Sequence, residues 1–291
     1  MDRVMALVST KWLADSIISN SKCIRIIDAS WHLPTSGRNG KLEFEQKHIP
    51  GAQFFDIDEC ANKSSPFGHM LPGPFEFEAY VGDLGIGNNT HVIVYDNNEL
   101  FGLFSAQRVW WTFRVFGHAK VSVLDGGFPK WCRENNLTSS ESRSVSINRF
   151  KANFNPAFVK SFGDVKRNID DKQFQLVDAR APGRFQGISP EPRQNIKPGH
   201  IPGSINIPFM DVLDPDKKTM KTATELKQLF ASANVDLSEP VTVSCGSGVS
   251  ACCIALAAYQ CGKEDVSIYD GSWTEWYLRA LPSDRANCPQ E

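Results

Sequence analysis

Short runs of β-branched and aliphatic residues recur along the chain. The first half contains Ile26-Ile27-Asp28, Val92-Ile93-Val94-Tyr95 and Val121-Ser122-Val123-Leu124. The second contains Leu176-Val177-Asp178, Val241-Thr242-Val243-Ser244 and Val266-Ser267-Ile268-Tyr269. Runs this short, with little polar alternation, predict strands covered on both faces, as in a parallel sheet flanked by helices. Longer apolar stretches over residues 105–116 and 249–261 follow the second run of each set and predict helices. Strand, helix and strand in that order predict an α/β fold with a mostly parallel sheet.

The same order is written twice. Ile26-Ile27-Asp28-Ala29-Ser30 returns as Leu176-Val177-Asp178-Ala179-Arg180, 150 residues on. His48-Ile49-Pro50-Gly51-Ala52 returns as His200-Ile201-Pro202-Gly203-Ser204 after 152 residues. Tyr95-Asp96 returns as Ser244-Cys245 after 149, and Asp125-Gly126-Gly127 as Asp270-Gly271-Ser272 after 145. Near-constant spacing over four motifs predicts a duplicated domain. The boundaries read as residues 1–138, a polar Ser-rich linker over 139–149, and a second domain over 150–291. The polar tail from Pro282 onward is expected to be loose.

A length of 291 residues leaves room for two domains of about 145 residues each. Lys and Arg total 31 against 33 for Asp and Glu, a net charge of −2, so no broad basic surface recommends nucleic acid or an anionic membrane as partner. No stretch approaches the roughly 18 apolar residues of a membrane span. The first 18 residues carry neither a secretory apolar core nor an Arg-rich stripe. Eight cysteines without a Cys-x2-Cys pair read as reduced thiols and give no structural zinc site. A reducing compartment is expected: cytoplasmic, with mitochondria as the second setting.

The halves differ where chemistry would sit. In the second, the buried run ends in Cys245-Gly246-Ser247-Gly248-Val249-Ser250, and an apolar helix follows. Ligand sites of open α/β sheets lie beyond the carboxyl ends of the strands, where Cys245 falls. Glycines allow successive main-chain N–H groups to converge on an anion, and the helix start adds up to about 2 kcal/mol in good geometry. That combination suits an anionic, nucleophilic sulfur better than a buried structural thiol. In the first half the same place holds Asp96, followed by Glu99, which cannot attack sulfur and would repel an anion. His48 and His200 sit in the repeated turn of both halves, which favours a turn-fixing role. Trp110, Trp111, Trp273 and Trp276 read as core.

Together, the duplicated domain, the His-Ile-Pro-Gly turns, the Asp-Gly-Gly and Asp-Gly-Ser-Trp endings and the Cys-Gly-Ser-Gly-Val loop resemble the two-domain rhodanese superfamily. The resemblance implies two tandem rhodanese-like domains, the first catalytically silent. It is closest to the branch that uses 3-mercaptopyruvate, because Gly246 and Ser247 are neutral where thiosulfate users place Arg and Lys. It implies sulfur transfer through a persulfide on Cys245, with pyruvate released and thioredoxin, a small thiol or cyanide as acceptor. Arg184 and Arg193 would bind the substrate carboxylate and carbonyl, a task suited to the guanidinium fork, and Gly246, Gly248, Val249 and Ser250 would form the substrate loop. Ser250 departs from the family's usual Thr. Ser247 would pass a proton, supported by His69 and Asp58; the alternative for Ser247 is a backbone cap in a tight loop. No cofactor or metal is implied, and a monomer, or a dimer formed on oxidation, is expected. Thiosulfate:cyanide sulfur transfer and a non-catalytic sulfur-relay module remain as alternatives.

Overall fold

The computed structural model describes residues 4–19 and 23–289. Two compact units emerge. In the first, β1 (Leu7–Val8), α1 (Thr10–Ile18), β2 (Ile24–Asp28), α2 (Gly40–Gln46), β3 (Gln53–Phe54), α3 (Pro74–Asp83), β4 (His91–Tyr95), α4 (Ala106–Val115), β5 (Val121–Leu124) and α5 (Gly127–Arg133) follow one another. The second repeats the plan as β6 (Val159–Lys160), α6 (Phe162–Asp171), β7 (Gln175–Asp178), α7 (Pro182–Phe185), β8 (Ile205–Asn206), α8 (Ala223–Ser232), β9 (Val241–Ser244), α9 (Ala251–Gln260), β10 (Ser267–Tyr269) and α10 (Ser272–Arg279).

Each unit holds a five-stranded parallel sheet, ordered β1-β5-β4-β2-β3 in the first and β6-β10-β9-β7-β8 in the second. The central strands are buried because helices cover both faces, which is why their sequences lack alternation. Ile26, Tyr95, Leu124 and Trp131 centre one core, and Val165, Ile201, Tyr269, Trp273 and Trp276 another. Helix α9 is buried from Ala251 to Ala258, so its composition is apolar all round rather than amphipathic. No described helix is long and apolar enough to cross a membrane.

Two expectations from composition are corrected. Phe150, expected to open the second half, packs its ring on Phe77, Phe113 and His118 of the first unit, and the second unit takes up the chain at Pro156. A polar run thus continues as a strap along the first unit, anchored by the rings of Phe150 and Phe154 and by the Asn153 N–H on the Phe116 carbonyl. Within the described residues, the tail from Pro282 is pinned rather than loose. Asp284 accepts the Trp276 indole N–H on its carbonyl and pairs with Lys166 through its carboxylate, and Ala286 bridges to His200. The first unit also takes in Asp214–Met220 and the second Ser64–Met70.

Candidate active site

In the second unit, β7 and β9 lie side by side, and the chain leaves them in opposite directions across the sheet. Their carboxyl ends therefore open a crevice, the usual ligand site of such a sheet. The β9 loop brings Cys245 to Ser250; the β7 loop brings Arg180, Arg184, Glu191 and Arg193.

The β9 loop is fixed from one side. Trp273 N–H donates to the Cys245 carbonyl at 3.0 Å, and Thr274 donates to the Gly246 carbonyl through its N–H at 3.1 Å and its hydroxyl at 2.7 Å. Ser272 Oγ accepts the Cys245 N–H at 3.1 Å. In a trans peptide the C=O and the next N–H point in opposite directions, so carbonyls drawn towards α10 turn the Gly246 and Ser247 N–H groups away from it. The N–H groups of Gly246, Ser247, Val249 and Ser250 donate to no protein acceptor among the described residues, although residues 245–249 are buried. Buried main-chain donors without acceptors are rare and mark an anion site. Gly248 adopts φ +76°, the left-handed turn that lets the loop enter α9.

The first unit shows what such a seat holds. At the position of Cys245 stands Asp96, whose Oδ2 accepts the N–H groups of Phe104, Ser105 and Ala106 at 2.9, 2.8 and 2.8 Å. A carboxylate oxygen lies two bonds beyond Cβ, as would the outer sulfur of a cysteine persulfide.

The β7 loop supplies the charge. A side chain at Gly246 would place its Cβ 2.9 Å from Arg184 Nη2 and 3.5 Å from Arg193 Nη1, so the glycine leaves room for both guanidinium groups beside the loop. Arg193 Nη2 donates to Ser247 Oγ at 2.8 Å and lies 3.5 Å from His69 Nε2. His69, at φ +67°, belongs to the segment 64–70 of this unit. The structure thus gathers Cys245, Ser247, Arg184, Arg193 and His69. Asp58 belongs to the first unit, where its carboxylate accepts the Trp31 indole N–H at 2.9 Å. Cys245 is 2% exposed and Ser247 7%. Among the described residues no group of His, Cys, Asp and Glu is arranged to hold a metal ion.

Two further residues of this site escaped the sequence reading. Glu191, with 2% of its side chain exposed, accepts Arg184 Nε at 3.0 Å and Nη2, and accepts Arg180 Nη1 at 2.8 Å. Arg180 is committed elsewhere too, donating to Asp178 and to the Gly199 carbonyl with its guanidinium over Trp273. Burial alone would lower the Arg180 pKa, yet Asp178 and Glu191 raise it above the usual value. The other is Ser272, which holds the Cys245 N–H. His48 and His200 play matching parts: each stacks on a phenylalanine of the preceding helix, Phe44 of α2 or Phe185 of α7, and bonds that residue's carbonyl through Nδ1. That match equates Glu43 with Arg184, each directly preceding its phenylalanine, so the helix residue facing the loop is reversed in charge between the units.

The rhodanese-like domain model matches residues 9–134 and again 161–279. The chain belongs to the rhodanese family. Relatives of this rhodanese include the 3-mercaptopyruvate sulfurtransferase of Homo sapiens, 51% identical over 96% of this chain and 94% of that protein. The thiosulfate sulfurtransferase of Rattus norvegicus is 50% identical over 97% of this chain and 95% of that one. In structure it resembles SseA from Escherichia coli, described as a 3-mercaptopyruvate sulfotransferase, with TM-score 0.82 and 37% identity over 93% of this chain and 99% of that one. Overall identity therefore does not separate the two donors; the loop residues must.

Proposed function

We propose that this rhodanese transfers sulfur from 3-mercaptopyruvate to a thiol through a persulfide on Cys245. The observation that carries this reading is the buried loop around Cys245, whose N–H donors lack protein acceptors beside two guanidinium groups. Arg184 and Arg193 hold the carboxylate and carbonyl oxygen of the oxo acid. The Cys245 thiolate attacks the substrate sulfur, the C–S bond breaks, and its electron pair forms the enolate of pyruvate. Ser247 accepts from Arg193, which leaves its own O–H to donate to that enolate, with His69 alongside. The outer sulfur rests on the loop amides, as Asp96 Oδ2 rests on the N–H groups of Phe104, Ser105 and Ala106. An acceptor thiolate attacks it and departs as its own persulfide, restoring Cys245. A small thiol and thioredoxin are the acceptors to compare.

Neutral Gly246 and Ser247 favour a singly charged oxo acid over thiosulfate, while the similarity to thiosulfate sulfurtransferases keeps thiosulfate as the second donor to assay. All eight cysteines are free thiols, in keeping with a reducing setting, cytoplasmic or mitochondrial. Incubation with 3-mercaptopyruvate should add about 32 Da to the Cys245 peptide and release one pyruvate, the mass of a single sulfur atom. Absence of that adduct, or its persistence in Cys245→Ser, overturns the assignment.

A further inference from the structure

We infer that Glu191 sets the donor specificity of this site by charge, admitting a monoanionic oxo acid and disfavouring a dianion. The inference rests on the sulfur-transfer reading above and adds a residue that contacts neither donor. Glu191 is buried, it bridges Arg180 and Arg184, and Arg184 Nη2 is the group nearest a Cβ built on Gly246. The carboxylate therefore sits one guanidinium away from the loop that receives the donor.

The energy between Glu191 and a bound anion scales with the product of their charges. A dianion such as thiosulfate feels twice the repulsion that a single carboxylate feels, so Glu191 takes back more of the attraction a dianion would draw from Arg184 and Arg193. Burial matters here, because an exposed glutamate would be screened by salt and water. The neighbouring loop residues, Gly246 and Ser247, add no positive charge to offset it. The first unit supports the idea that this place is tuned by charge, since the helix position of Arg184 is there occupied by Glu43, itself paired with Arg38.

Glu191 is thus a positioning residue whose charge, more than its shape, decides the preference. The test compares wild type, Glu191→Gln and Glu191→Asp by the ratio of kcat/KM for thiosulfate to that for 3-mercaptopyruvate. A ratio cancels losses of folded protein. Glu191→Gln should raise it at least about tenfold, while Glu191→Asp, which keeps the charge on a shorter arm, should leave it near the wild-type value. An unchanged ratio in Glu191→Gln overturns the inference, and so does an equal rise in both variants, which would assign the effect to geometry. For a variant with turnover too low to measure, protection of Cys245 from iodoacetamide by sulfate and by pyruvate gives the corresponding comparison of a dianion with a monoanion. Sulfate should gain on pyruvate in Glu191→Gln alone. This competition needs no sulfur transfer, so failure of the charge inference is distinguishable from failure of the proposed reaction, which wild type alone decides.

Discussion

The hydroxyl of Ser272 accepts the main-chain N–H of Cys245 at 3.1 Å and donates to the Tyr269 carbonyl at 2.8 Å, from a residue held at φ +51°. A left-handed conformation costs a non-glycine residue roughly 1–2 kcal/mol. In the first unit the matching residue is Gly127, at φ +56°, where an added Cβ would lie 2.5 Å from the Asp96 carbonyl. Serine therefore stands in a glycine position, and its hydrogen bond offsets the strain.

The consequence is an inverted ranking of substitutions. Ser272→Ala keeps the strain and loses the bond, so it should destabilise by about 1–3 kcal/mol. Ser272→Gly relieves the strain while losing the same bond and should be the more stable of the two, against the usual preference for alanine in a helix. Chemical denaturation of the pair checks this; alanine above glycine would refute the account.

Arg180 and Arg184 should fail in different ways. Arg180→Ala leaves Asp178 and Glu191 as buried carboxylates without their shared partner and should cost about 3–5 kcal/mol in unfolding. Arg184→Ala, whose side chain is 23% exposed, should cost much less stability and raise KM for the oxo acid. Denaturation midpoints alongside steady-state kinetics separate the two.

Asp125 makes stability depend on pH. Burial raises its pKa to about 6, against the hydrogen bond from Met220 N–H and the charge of Lys130. A carboxyl whose folded pKa lies above the unfolded value near 3.8 binds its proton more tightly when folded. Its contribution is complete below about pH 4 and fades as pH rises through about 6, by an amount of the order of 2–3 kcal/mol. Asp125→Asn should match wild type near pH 4 and exceed it near pH 8, as unfolding curves at the two pH values would show. A constant difference across that range would contradict the assignment.

Ser247→Ala should slow the half-reaction that releases pyruvate by about 100-fold, the lower range for loss of a general acid. Discharge of the persulfide to a thiol needs no proton from Ser247 and should change far less. Rapid mixing of each half-reaction tests the division; equal slowing of both would mark Ser247 as a loop support.

Most of the fold was legible because the duplication repeats its punctuation. The runs ending at Asp28 and Asp178 became β2 and β7, those before Asp96 and Cys245 became β4 and β9, and the helices after them lie within one or two residues of their expected ends. The edge strands β1, β3, β6 and β8 are two residues long, too short for any periodicity to show. In the site, Cys245, Arg184 and Arg193 announce themselves by residue type. Glu191 did not, because its meaning comes from an insertion. The histidine of the turn lies 4 residues after its phenylalanine in the first half and 15 in the second, and Glu191 and Arg193 fall inside the added length. Ser272 lies 27 residues from Cys245, and only the parallel pairing of β10 with β9 brings them together.

The grip on Asp96 bears on what each half of a duplicated chain is able to become. A carboxylate joined to the backbone cannot be handed on, so the amides that clasp it are committed for the lifetime of the molecule. Where cysteine replaces it, the proposed sulfur transfer would let the group held by the loop amides arrive and leave by covalent exchange. On that proposal, one such position per chain would count cargo singly, and copies of the protein, rather than halves within it, would set how much can be in transit at once.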